Sequence, residues 1–134
     1  MPENAAPAGQ KIRYSYLRSV RTEIEKVAPK LQPETIYIGG GTPSCLSLRE
    51  AKHLFKTLEI VDQKKLREFT IELNPESVDE IKLEHYQRAG VNRVSIGVQS
   101  LDKDVLKFLG RIHNVQMAKR ATCLAKKVGI NNFS

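Results

Sequence analysis

Three consecutive glycines, Gly39-Gly40-Gly41, follow the β-rich run Thr35–Ile38 and lead into Thr42-Pro43. Without a Cβ, the backbone N–H and C=O groups of such a turn can come close to a ligand. The groups they suit are a carboxylate, a phosphate or an ammonium. Neither G-x-x-x-x-G-K-[ST] nor G-x-G-x-x-G is present, so nothing specific to a phosphate cradle is indicated. The turn reads either as a sharp strand-to-helix bend or as a ligand site. Glu72 stands one residue before the end of a second run, Phe69–Leu73. A carboxylate turned toward an interior needs a partner, and a ribose diol or an Arg guanidinium would serve. Gln99, after a third run at Arg93–Val98, offers both a donor and an acceptor. Arg111, directly after Gly110, either presents a guanidinium fork to a carboxylate or lies on the surface. His53 and His113 have no His, Cys or acidic companion at metal-ligand spacing and read as solvated or hydrogen-bonded side chains. Cys45 and Cys123 lie far apart, which excludes a disulfide scaffold and a zinc ribbon and fits a reducing cytoplasm. Two thiolates are also too few for a Cys-ligated iron–sulfur cluster.

The elements that must carry these residues follow from periodicity. Met1–Gln10 shows none and reads as a flexible tail, taken to residue 12, before a helix starting near Tyr14. Leu17, Val20, Ile24, Val27 and Leu31 recur on that helix at three- and four-residue steps, and Pro29 and Pro33 close it. After the first strand, Ser47 with Glu50 forms a capping box for a helix whose stripe is Ala51, Leu54, Phe55 and Leu58. Ser77 with Glu80 offers the same device after the second strand, and that helix stops at Gly90. Helices from about Asp102 to Leu109 and from Val115 to Val128 stop at Gly110 and Gly129, and a fourth strand starts within Ile130–Ser134. Strands alternating with helices predict an α/β fold with a parallel sheet.

Each strand has two chemically different faces. Ile36 and Ile38, then Phe69, Ile71 and Leu73, then Val94, Ile96 and Val98 make one apolar face. The other carries Thr35, Tyr37 and Gly39, then Thr70, Glu72 and Asn74, then Ser95, Gly97 and Gln99. A closed eight-stranded barrel fills its interior with bulky branched side chains. This small, polar lining suits a wider, open barrel around a polar ligand. In such folds, ligands bind at the carboxyl ends of the strands.

Of the 134 residues, 22 are Lys or Arg and 15 Asp or Glu, for a net charge of +7. Length and a 40% apolar content suit about one domain. No apolar run has the roughly 18–20 residues that a membrane span needs. Positive charge is densest from Lys103 to Lys127. Aromatics are only 6% of the chain, Trp is absent, and no groove-reading motif accompanies the stripe, so it reads as solvated helix faces and nucleic acid is not an expected partner.

Thr35-Ile36-Tyr37-Ile38-Gly39-Gly40-Gly41-Thr42-Pro43-Ser44 resembles the second barrel strand of the radical S-adenosylmethionine (SAM) superfamily, in its oxygen-independent coproporphyrinogen III oxidase-like branch. Phe69–Ser77, Gly90–Ser100 and Leu109–His113 continue the likeness in order, so that it covers about Tyr14 to Ser134. The resemblance implies part of a (β/α)6 barrel over residues 13–134, comprising about three strand–helix units. It places contacts to SAM on Gly40, Gly41 and Thr42 (at the methionyl amino group), and on Glu72, Gln99 and Arg111. Val98-Gln99-Ser100 and Gly110-Arg111-Ile112-His113 are more similar to the haem chaperones of the branch than to the oxidases.

The family's cluster motif, Cys-x3-Cys-x2-Cys, belongs on the loop before the Tyr14 helix, where Met1–Gln10 hold no cysteine. In the family three thiolates hold a [4Fe–4S] cluster whose fourth iron binds SAM, and cleavage of SAM gives a 5′-deoxyadenosyl radical. The expectation is therefore a piece from the middle of such a cytoplasmic protein, inactive by itself. Its parent would be a haem chaperone binding SAM and a cluster, with haem or another tetrapyrrole as partner. The alternatives are a coproporphyrinogen III oxidative decarboxylase or a non-catalytic SAM- or tetrapyrrole-binding module.

Overall fold

Ala8–Val27 form a single helix, α1, in the computed structural model, which describes residues 8–134. Of the expected tail, Met1–Pro7 lie outside the described residues, while residues 8–12 are helical. Gly9 is the one helix-breaking residue between Ala8 and Tyr14, and its cost of about 1 kcal/mol is set against good helix formers at Gln10, Lys11 and Arg13. The predicted stripe is narrower than expected. Leu17 is buried and Val20 and Ile24 are half-buried, whereas Val27 and Leu31 are exposed. Pro29 marks the end as predicted, inside a 3-10 turn at Ala28–Lys30.

The chain divides into two compact units, the first holding α1 and residues 47–66 and the second residues 35–46 with 67–134. Within the first, α2 (Leu48–Leu58) starts with the predicted capping box: the Ser47 hydroxyl accepts from the Glu50 N–H, and the Glu50 carboxylate accepts from the Ser47 N–H. Ala51, Phe55 and Leu58 are buried as the stripe requires. Glu50 is fully buried too, and Arg13 of α1 donates through Nε to its Oε1 at 2.8 Å. That ion pair ties the two helices of this unit together.

The second unit is built on four parallel strands, β1 (Thr35–Ile38), β2 (Glu68–Leu73), β3 (Arg93–Ile96) and β4 (Asn132–Phe133), in the order β1-β2-β3-β4. The register aligns Ile38 with Ile71, Val94 and Phe133, and Leu73 with Ile96, which makes the predicted apolar face continuous across the sheet. On the other face Tyr37 aligns with Thr70 and Arg93, and Glu72 with Ser95. Helices α3 (Glu80–Arg88), α4 (Lys103–Phe108) and α5 (Val115–Lys127) each give way to a glycine in the left-handed region, Gly90, Gly110 and Gly129, as predicted. Helix α5 packs on β3, on α3 and on a 3-10 turn at Pro75–Ser77. Ala118, Ala121 and Ala125 are its buried residues, small enough for a close approach.

Two boundaries differ from the sequence reading. Asp79, not Ser77, caps α3, accepting from the Lys82 N–H at 2.8 Å. Ser77 is taken up by the 3-10 turn, where its hydroxyl bonds the Asn74 carbonyl and pairs with the Ser44 hydroxyl. The third strand ends at Ile96 instead of Val98, because the Val98 N–H turns back to the Ile96 carbonyl.

Burial pushes the Glu50 carboxyl up, but the Ser47 N–H, the Ser47 hydroxyl and Arg13 outweigh it, and the group lies below its ordinary 4.5. Its ionised form therefore stabilises the folded state fully above that ordinary value, and the contribution is lost as pH falls through the depressed folded value. Thermal melts should show Glu50→Gln less stable than wild type near neutral pH, by about 1–2 kcal/mol, with the gap closing in acid. A gap that stays constant down to acid pH would contradict this assignment.

Candidate functional site

The polar face of the sheet converges at the carboxyl ends of β1, β2 and β3. Strand β1 runs directly into the three glycines. A Cβ on Gly39 would fall 2.5 Å from Tyr37 Cε1 and 3.0 Å from the Glu72 carboxyl carbon, so only glycine leaves space for that pair of side chains. Gly40 and Gly41 have φ of +80° and +55°, the left-handed region, with nothing within 4 Å of where a Cβ would be. The turn thus offers exposed backbone on an open side.

Glu72 rises beside this turn. Its Oε1 accepts from the Tyr37 hydroxyl at 2.6 Å, and its Oε2 accepts from the Gly40 N–H at 3.1 Å. The partners that the sequence reading weighed were a ribose diol and a guanidinium. Within the chain, the partner is a hydroxyl from the neighbouring strand. The hydrogen bond to the Glu72 carboxylate holds the Tyr37 proton, raising that phenol above its ordinary 10.0.

Asn74, two residues further along the same face of the chain, connects the rest. Its Nδ2 donates to Thr42 Oγ1 at 3.3 Å, and its Oδ1 accepts from Arg111 Nη2 at 3.2 Å. Its own N–H donates to the Ser44 hydroxyl at 3.0 Å. Lys82 braces the same corner, donating to the Ser44 and Ser77 carbonyls at 2.9 and 3.0 Å. The Arg111 Nε is buried with no hydrogen-bond partner among the described residues, a donor still available for a bond.

Gln99 enters from the end of β3. It has φ of +64°, and the Ser100 N–H donates to the Val98 carbonyl at 2.7 Å across it, a γ-turn of the rare positive-φ kind. A Cβ on Gly97 would fall 3.0 Å from Asn74 Oδ1 and 3.3 Å from Gln99 Nε2. Glycine at 97 therefore lets the two amides lie close together.

Of the six residues singled out in the sequence, Gly40 is bonded to Glu72, Thr42 and Arg111 are joined through Asn74, and Gln99 lies beside Asn74 across Gly97. Gly41 stands in the same turn at φ +55°. Sequence reasoning missed Tyr37 and Asn74 as members of the site, although both lie on the polar face that period two defines. Among the described residues no group of three or more His, Cys, Asp or Glu side chains could hold a metal ion, and Cys45 and Cys123 are exposed and separate. The residues present thus do not fit a cluster. They do fit the polar parts of SAM: a carboxylate already accepting from a hydroxyl, bare backbone at a glycine turn, and a guanidinium with a donor to spare.

The family model that describes the radical SAM superfamily matches residues 4–134. The haem chaperone HemW of Escherichia coli strain K12 is 47% identical over 102 residues, covering 75% of this chain and 27% of that protein. The HemW of Bacillus subtilis strain 168 is 37% identical over 124 residues, covering 89% of this chain and 33% of the relative. Among solved structures, coproporphyrinogen III oxidase (HemN) of E. coli, described as a radical SAM enzyme, matches with a TM-score of 0.82 at 26% identity, over 95% of this chain and 30% of that one. The chain thus spans about a third or less of the length of these relatives.

The Tyr37–Glu72 bond can be checked without any ligand. Following the Tyr37 ring by 13C NMR against pH, Glu72→Gln should bring the Tyr37 titration down toward 10.0. An unchanged titration would remove the carboxylate as the cause.

Proposed function

The chain belongs to the radical SAM superfamily, and from that premise we propose that the ends of β1, β2 and β3 form the SAM-contacting part of a haem-chaperone-type member. The observation that carries this reading is the convergence of an open glycine turn, Glu72 and Arg111 on one edge of a parallel sheet, held by Asn74. In this reading Gly40, Gly41 and Thr42 receive the methionyl amino group through backbone and hydroxyl oxygens. Glu72 takes the ribose diol, exchanging the Tyr37 hydroxyl for a ligand hydroxyl or accepting both, since each carboxylate oxygen has a second lone pair. Gln99 supplies an amide at the rim, and Arg111 donates to a carboxylate through its free Nε.

When bound at a cluster, SAM supplies a 5′-deoxyadenosyl radical. The residues described here contribute binding and orientation, and the cluster ligands lie among none of them. The whole-protein role that we propose is haem handling, with haem as the carried partner, in the reducing cytoplasmic setting that the cysteine usage suits. Its support is the 47% and 37% identity to two haem chaperones. The similarity to the solved oxidase in fold keeps oxidative decarboxylation of a porphyrinogen as the second reading.

Calorimetry with SAM tests the site. Wild type should bind, and Glu72→Ala and Arg111→Ala should each weaken binding about tenfold or more, the worth of one charge-assisted hydrogen bond. Equal affinity in wild type and both variants would place SAM elsewhere or nowhere on this chain.

A further inference from the structure

His113 is a fully buried titratable side chain that the proposed site does not use. Its side chain has no exposed surface, although it sits on the connection between α4 and α5, where Ile112 is 83% exposed and Asn114 is exposed. Two groups face its ring. Nε2 lies 3.0 Å from the Val98 carbonyl oxygen, and Nδ1 lies 3.3 Å from Glu76 Oε2. A carbonyl can only accept, so the first contact is a hydrogen bond only if Nε2 carries a proton, whereas the second is no hydrogen bond and becomes an ion pair only if Nδ1 carries one as well. Glu76 stands in the 3-10 turn after β2, and Val98 follows β3. The imidazole therefore spans the segments that leave two adjacent strands.

The position of the Val98 carbonyl gives this contact its consequence. The same oxygen accepts the Ser100 N–H across Gln99, closing the γ-turn that holds Gln99 at φ +64°. A non-glycine residue in that conformation is strained and persists only where its surroundings impose it. With Nε2–H and Ser100 N–H as its two donors, the Val98 oxygen has both lone pairs engaged. His113 also lies two residues after Arg111, so fixing its ring fixes the backbone from which Arg111 reaches Asn74.

We propose that His113 is a positioning residue for Gln99 and Arg111: its Nε2–H, donated to the Val98 carbonyl, holds the strained turn at Gln99 in the conformation that faces the strand-end site. The assignment of a ligand to that site rests on the SAM reading, whereas the positioning itself does not.

The experiment has a ligand-free part and a ligand part. In 15N NMR of the wild-type ring, Nε2 should be the protonated nitrogen, with a slowly exchanging proton. An unprotonated Nε2 would overturn the proposal directly. Amide exchange at Ser100 should then accelerate at least tenfold in His113→Phe, and return toward wild type in His113→Gln, whose amide N–H can still donate to the Val98 carbonyl. Exchange at Ser100 that is unchanged in the folded variants would also overturn it. If His113→Phe does not fold, the wild-type ring spectrum and His113→Ala still decide. In calorimetry with SAM, His113→Phe should lose affinity comparably to Gln99→Ala, with no further loss in the double variant. Full additivity would refute the coupling. If wild type binds no SAM, the SAM reading fails, and the ring spectrum and amide exchange still test the positioning.

Discussion

Asn74 is the residue on which the strand-end arrangement depends. A primary amide presents a donor and an acceptor in fixed opposition, and here each is used across a different boundary. Nδ2 reaches back to the turn after β1, and Oδ1 receives the guanidinium from the connection after α4. The backbone N–H of the same residue fixes the Ser44 hydroxyl. Three segments that are distant in sequence thus meet through one side chain, and an apolar residue such as leucine could serve neither end.

This arrangement is possible because the sheet is parallel. Parallel strands send all their carboxyl ends to one edge, so the turns after β1, β2 and β3 become neighbours without any long loop. Period two then decides which side chains stand on the polar face. Thr70 and Glu72 do so on β2, with Asn74 just past its end, beside Tyr37 on β1 and Ser95 on β3. The glycines clear the remaining space. Position 39 is vacated for Tyr37 and Glu72, and position 97 for Asn74 and Gln99. Polar groups that would be costly if left unpaired at such an edge instead satisfy each other. Among the described residues Arg111 Nε, Glu76 Oε2 and His113 Nδ1 are left without a hydrogen bond there.

Much of this was legible in the sequence, for reasons that are local. The two faces of the sheet, the Ser47–Glu50 capping box and the glycine stops follow from period and from cap chemistry within a few residues, and all are seen in the structure. The family likeness placed Gly40, Glu72, Gln99 and Arg111 together. Long-range partners were not legible. Nothing in the local pattern tells that Glu72 takes a tyrosine hydroxyl rather than a guanidinium, or that Asn74 joins Thr42 to Arg111. The cap of α3 was misread because Ser77 and Asp79 are both good caps. Only the 3-10 turn, which engages Ser77 with Ser44 and the Asn74 carbonyl, leaves the role to Asp79. His113 is hydrogen-bonded, one of the two states that the sequence allowed, but its partner was not legible because Val98 lies in a turn 15 residues away in the chain.

The central claim is that these strand ends form one SAM-contacting surface, and amide chemical-shift mapping of the 134-residue chain titrated with SAM tests it most directly. The account predicts saturable shifts concentrated at Gly40, Gly41, Thr42, Glu72, Asn74, Gln99 and Arg111. Shifts that are absent, or that are confined to α1 and α2 with these strand-end amides unmoved, would contradict it.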